Sequence, residues 1–218
     1  MKIVPNRCEI IRYMGCRKKD CSAELLLDIE NAVKELDTVI SPRSVYRKFD
    51  IIHNNDGSMD IGNMHILSNN LKKNLKTCAS CYLMGATLGI GPDHLIQRSE
   101  ISRISRTLLY QAASAAMIEA YCNEINAKII DQEKREGRYC RPRFSPGYGD
   151  FDISFQRNIS DMLQLPKTTG INLTASLMMM PSKSVTAIIG VSDIDSRCIM
   201  EGCEICSKRK DCAFRRDS

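Results

Sequence analysis

The sequence predicts an α+β fold: a mainly antiparallel, twisted sheet with flanking helices, one of them long. Strand-like segments come in successive pairs rather than in strict alternation with helices, which favours antiparallel neighbours. The turn-forming run Asn54-Asn55-Asp56-Gly57 separates two half-buried stretches in the manner of a hairpin. From about Ser99 to Glu136, apolar residues recur at helical spacing for longer than anywhere else in the chain. At 218 residues, 43% hydrophobic and 26% charged, the chain has the composition of a globular protein with one sizeable core.

Taken in order, Ser22 can cap a helix over 23–36, in which Leu25, Leu26, Ile29, Val33 and Leu36 return every three or four residues. Pro42 ends that region. Ser44–Ile51 and Met59–Ile66 are the two arms of the hairpin, and a short helix over 69–77, capped by Ser68, follows them. Tyr82–Leu88 reads as a buried strand closed by Gly89 and Gly91-Pro92. The long helix over 99–136 comes next, with Ile101, Ile104, Leu108, Ala112, Ala115, Cys122, Ile125 and Ile129 on its apolar face. Gly137–Gly149 is a loop of Arg, Pro and Gly, Ile153–Leu163 a shorter helix, and Leu177–Met180 and Ser184–Ser192 two further strands. Composition changes near the end, so the reading is a main domain over 1–195 and a Cys-rich tail over 196–218.

The longest apolar runs fall far short of the roughly 20 residues a membrane span needs. The amino terminus is polar by its fifth residue and lacks a secretory core, which argues against a secretory signal, so a cytoplasmic protein is expected. A formal charge of +5 is modest and mostly dispersed, and with no Trp and five Phe there are few platforms for stacked bases. The expectation is no nucleic-acid partner and no membrane. Eleven cysteines in a reducing compartment should be thiols or metal ligands rather than disulfides.

Two places carry candidate chemistry in the main domain. Glu119 falls on the apolar face of the long helix among Ala112, Ala113, Ala115, Ala116 and Ala120. It is either a helix-edge glutamate that reaches water or an arginine, or an anionic site for a ligand's ammonium or sulfonium group. The loop Arg141-Pro-Arg-Phe-Ser-Pro-Gly-Tyr-Gly-Asp150 combines two guanidinium groups, two glycines and an amphipathic tyrosine between prolines. It is either a turn with solvated arginines or a grip for a carboxylate, with glycine admitting a close approach.

The phrase Arg143-Phe-Ser-Pro-Gly-Tyr148, followed by Gly149-Asp150-Phe151 and Gln156, is similar to the Arg-x-x-Pro-Gly-Tyr signature of the activation (reactivation) domain of cobalamin-dependent methionine synthase. Ile118-Glu119-Ala120-Tyr121 resembles the helical segment in which that family places a ligand-binding glutamate. Ile11–Gly15, Val45–Asp50, Met84–Gly89 and Met180–Gly190 resemble its free-standing, single-domain branch. The resemblance implies that fold, and an S-adenosylmethionine site lined by Glu119, Arg143, Ser145 and Tyr148, with Ser145 acting mainly through its backbone. It implies a component of a cobalamin-dependent methyltransferase system that holds the methyl donor for reductive remethylation of a corrinoid and contributes no nucleophile of its own. The cobalamin would arrive on a corrinoid-binding protein or a methionine synthase lacking its own activation domain, with an electron-donor protein alongside. The family's aspartate near the start of the domain has no matched position here; Asp50 and Asp93 lie nearest to the family phrases.

Cys198, Cys203, Cys206 and Cys212 give C-x4-C-x2-C-x5-C, spacing that lets thiolates converge on zinc or an iron–sulfur cluster, or leaves free thiols in a tail. Cys78-Ala-Ser-Cys81 precedes a strand rather than opening a helix, so structural thiols are expected there. Two other function classes remain open on these residues: a module that docks on a corrinoid protein without a methyl donor, and an iron–sulfur electron-transfer component.

Overall fold

The computed structural model describes residues 3–16, 21–102 and 104–195, with only the backbone of 101, 102 and 104. The four tail cysteines and the whole segment 196–218 lie outside the described residues. The chain runs α1 (Arg7–Tyr13), α2 (Ala23–Val39), β1 (Arg43–His53), β2 (Met59–Ile61), β3 (Met64–Ile66), α3 (Asn69–Asn74) and β4 (Ser80–Thr87). It continues through α4 (Gly91–Ser102), α5 (Ile104–Arg135), β5 (Tyr139–Cys140), α6 (Phe155–Leu163), α7 (Leu165–Thr168), β6 (Asn172–Leu173), β7 (Met179–Met180) and β8 (Ser184–Ser192).

Six strands form one sheet in the order β3-β2-β1-β4-β8-β5, and every pairing in it is antiparallel, as the paired strands of the sequence predict. β6 and β7 form a separate two-stranded ribbon. β4 and β8 are neighbours and the most deeply buried strands of the sheet. Tyr82, Met84 and Ala86 of β4 join Ala187, Ile189 and Val191 of β8 in a core shared with α1, α2 and α5. Cys81, Leu83 and Ile188 point the other way, into a second core with α3, α6, α7 and Phe151. Covered on both faces, these strands carry near-continuous apolar runs instead of alternating ones.

Local signals account for several elements. Ser22 Oγ accepts from the Leu25 amide at 3.1 Å and Ser68 Oγ from the Leu71 amide at 3.0 Å, so both expected caps are in place. α2 runs three residues beyond the predicted end, and α3 stops at Asn74, three residues early. The second hairpin arm divides: Met59–Ile61 turns at Gly62-Asn63 and returns as Met64–Ile66, because this lets Met59, Ile61, Met64 and Ile66 all enter the second core.

The long helix is present, but it starts at Ile104, and 99–102 belong to a separate helix, α4. Ser99 Oγ lies 2.8 Å from Thr107 Oγ1, whereas eight residues along one continuous helix rise about 12 Å. The chain therefore bends between them, and α4 packs on α5 and α2. Of the predicted apolar face, Ala112, Cys122, Ile125 and Ile129 are buried, but Leu108 is exposed. The buried stripe also takes in Leu109, Ala113, Ala116 and Met117, since α1, α2 and the sheet press on the helix from several sides.

A buried polar cluster fixes the far end of α5 to the sheet. Glu133, 1% exposed, accepts from Lys48 Nζ at 2.9 Å on each oxygen, from Tyr82 Oη at 2.6 Å and from Arg138 Nε. Burial pushes its carboxyl pKa up, but the bonds from Arg138, Tyr82 and Lys48 outweigh that and hold it down to about 2. Among the described residues no helix is long and apolar enough to cross a membrane.

Candidate ligand site at the edge of the sheet

The Arg-Pro-Gly loop lies along the outer edge of β8. Arg141 N–H donates to Gly190 O at 2.8 Å, and Phe144 and Ile188 exchange amide-to-carbonyl bonds of 2.9 and 2.8 Å. Two positions further on, the partner of Thr186 would be Pro146, which has no N–H to give, so the ladder stops. The chain turns there instead. Ser145 O accepts from Tyr148 N–H at 3.2 Å, with Pro146 and Gly147 between them and Gly147 at φ +91°, the positive value that a type II turn requires at its third position.

This turn is anchored in the opposite layer. The Asp150 carboxylate accepts from Ser68 Oγ at 2.5 Å and from the Asn69 and Asn70 amides at 2.7 and 3.0 Å, capping α3 from 80 residues away. Those donors, Ser68 foremost, lower its pKa against a smaller opposing effect of burial. Phe151, fully buried, stacks on Phe155 at 5.3 Å and lies 6.3 Å from Phe144. Gln156 Nε2 donates to Leu177 O at 2.7 Å, tying the following helix to the segment that leads into β7.

The structure brings Glu119 and Arg143 together. Arg143 Nη2 donates to Glu119 Oε2 at 3.0 Å, and Arg143 Nη1, also buried, has no hydrogen-bond partner among the described residues. Of the two readings of Glu119, the contact shown is the pairing with an arginine, and that arginine belongs to the Arg-Pro-Gly loop. The Glu119 side chain is 47% exposed, at the border of the buried stripe rather than within it. One turn further along α5, Cys122 is buried, and that burial pushes its thiol up to about 12, with Arg143 and Glu119 as opposing neighbours. Ser145 is half-buried in the turn, its carbonyl engaged by Tyr148 N–H, while the Tyr148 ring is 68% exposed.

Only one of the loop's two guanidinium groups serves this place. Arg141 is 6% exposed and donates from Nη2 to Thr77 Oγ1 at 2.9 Å, on the side of Cys78 and Gly190. Asp93 is engaged too: its carboxylate accepts from the Ser182 amide at 2.8 Å and from the Ser182 hydroxyl. Asp50 is exposed on β1, opposite Ser80. Cys78 and Cys81 are buried thiols, and no group of three or more His, Cys, Asp or Glu able to hold a metal occurs among the described residues. The roles of Pro146 and Asp150 were not read from the sequence. A proline two residues after a bridge position, and an aspartate able to reach the Ser68 cap, are the signals that mark them.

Fold and site together define an α+β domain with an oppositely charged pair beside β8, where its outer edge runs on past the Phe144 bridge. Residues 109–198 match the family model described as the activation domain of vitamin B12 dependent methionine synthase, and both Ile118–Tyr121 and Arg143–Tyr148 fall inside that stretch. Among solved structures the chain is similar to the MetH reactivation domain bound to AdoHcy, with a TM-score of 0.63, at 18% identity over 85% of this chain and 70% of that one. The fold is that of the reactivation domain. No curated protein matches.

Proposed function

We propose that the chain binds S-adenosylmethionine at Glu119 and Arg143 and presents it to a corrinoid carried by a separate protein, for reductive remethylation of that cofactor. The observation that carries this reading is the Glu119–Arg143 contact, with Arg143 Nη1 buried and unpartnered among the described residues. An amino-acid zwitterion matches both halves of the pair, its ammonium at Glu119 and its carboxylate at Arg143. A buried donor without a partner costs about 1–3 kcal/mol, which a ligand carboxylate relieves. Bound there, S-adenosylmethionine supplies an electrophilic methyl group to a reduced corrinoid. The chain's own contribution is position: Pro146 and Gly147 set the turn, Asp150 and Phe151 hold it, and the catalytic value is that of proximity and orientation.

The corrinoid-bearing partner needs a surface to meet. Tyr148 and Ile153 in the loop and Met178 and Met180 beside β8 are all exposed, an apolar rim suited to a partner or its macrocycle. The test is anaerobic calorimetry of S-adenosylmethionine with the wild-type protein, Glu119→Gln and Arg143→Ala. Micromolar binding that both variants lose supports the site. A folded wild type that binds nothing overturns it and favours a docking module without a donor.

A further inference from the structure

A second polar pair lies on the same helix as the first. Gln111, Ala115 and Glu119 follow one another at four-residue intervals on α5 and so share a face. At one end of this ridge Glu119 meets Arg143, which flanks the bridge to Ile188. At the other end Lys183 Nζ donates to Gln111 Oε1 at 2.6 Å, and Lys183 is the residue immediately before β8. These two ties lay the ridge beside β8, along the edge that beyond the Phe144–Ile188 bridge has no partner strand among the described residues. The small Ala115 separates them, and Gln111 and Glu119 are about 12 Å apart along the helix.

The Lys183 end is built as firmly as the Arg143 end. Its carbonyl accepts from the Leu88 amide at 3.0 Å, and Asp93 holds the neighbouring Ser182. Burial lowers the pKa of its ammonium, and Asp93 pulls the other way. Gln111 is exposed.

We infer that Gln111 and Lys183 bind the adenine end of the ligand and give the site its preference for a 6-amino purine. This rests on the donor-site reading above: with the methionyl group at Glu119 and Arg143, an extended S-adenosylmethionine reaches along the ridge to Gln111. A glutamine amide offers one acceptor and two donors, the complement of the adenine 6-amino group and N7. Lys183 fixes that amide through its oxygen and donates to a ring nitrogen. A 6-oxo purine presents an acceptor where adenine presents a donor, so the same amide disfavours it.

The experiment is calorimetry of S-adenosylhomocysteine and S-inosylhomocysteine with the wild type, Gln111→Met, Lys183→Met and Arg143→Ala, each checked for an unchanged unfolding midpoint. The wild type should prefer the adenosyl compound by about 10-fold or more. Gln111→Met and Lys183→Met should erase that preference by weakening the adenosyl compound alone, while Arg143→Ala weakens both. Wild-type binding and preference left intact by Gln111→Met and Lys183→Met overturn this inference alone. No binding of either compound by the folded wild type overturns the donor site and this inference with it.

Discussion

Arg143 and Glu119 stand 24 positions apart in the chain and 3.0 Å apart in space, on a loop and a helix that the β8 edge holds side by side. With Glu119 nearly half exposed, their attraction contributes little to stability, on the order of 0–1 kcal/mol. Charge-assisted bonds to a ligand are each worth about 1.5–3 kcal/mol, roughly a 10- to 100-fold effect on affinity. Glu119→Gln should therefore leave the urea midpoint nearly unchanged while lowering S-adenosylmethionine affinity by at least about 10-fold. A large loss of stability with affinity retained would make the pair a structural brace.

Glu133 gives the opposite balance. Its carboxylate is fully buried with three donors, so Glu133→Gln should cost about 3 kcal/mol in urea unfolding at pH 7. Its folded pKa, about 2, lies below the ordinary 4.5, so the stability it confers is present above pH 4.5 and is lost as pH falls from there towards 2. Stability measured across that window should fall for the wild type and fall less steeply for Glu133→Gln. Parallel pH curves for the two proteins would remove Glu133 as the cause.

At Gly91 the constraint is steric. A Cβ there would lie 2.0 Å from Val39 O and 2.8 Å from Val39 C, backbone atoms at the end of α2 that have no rotamer to yield. Gly91→Ala should destabilise the protein by about 1–3 kcal/mol in denaturant titration. A neutral result would show that α4 can shift away from α2.

Reactivity should divide the thiols by depth. Burial pushes Cys81 up to about 12, with Cys78 and Asp50 adding to the effect, and does the same to Cys122. Cys8 is exposed. Because the thiolate is the nucleophile, iodoacetamide at pH 8 should label Cys8 in the native protein and reach Cys81 and Cys122 only in denaturant, as read by peptide mass mapping. Rapid native labelling of Cys81 would contradict the packing of β4.

What the sequence made legible was mostly what is local. Ser22 and Ser68 cap helices whose first turns lie three residues away, and Tyr82–Leu88 declares a strand covered on both faces. The split of Met59–Ile66 was hidden because its apolar residues suit a single arm as well as a tight hairpin. Gly91-Pro92 suits the close of a strand, but a proline in a first turn also opens helices, and that ambiguity conceals α4. α1 was missed although Asn6 accepts from the Cys8 amide at 2.9 Å as its cap. In the site, Glu119 and the arginine loop stand out by residue chemistry alone, and the resemblance joins Glu119 and Arg143 in one site. The diversion of Arg141 was not readable, since it depends on Thr77, 64 residues distant.

The Asp150 clamp means that the loop at the sheet's edge keeps time with a helix on its far side. The Asn69 and Asn70 amides have no carbonyl one turn back within α3 to hold them; they are held by a carboxylate belonging to the loop. Any excursion that carries Tyr148 and its turn away from the domain by breaking that clamp must uncover these two protons. Their exchange with deuterated solvent is thus a clock for the loop, running in a helix of the opposite layer.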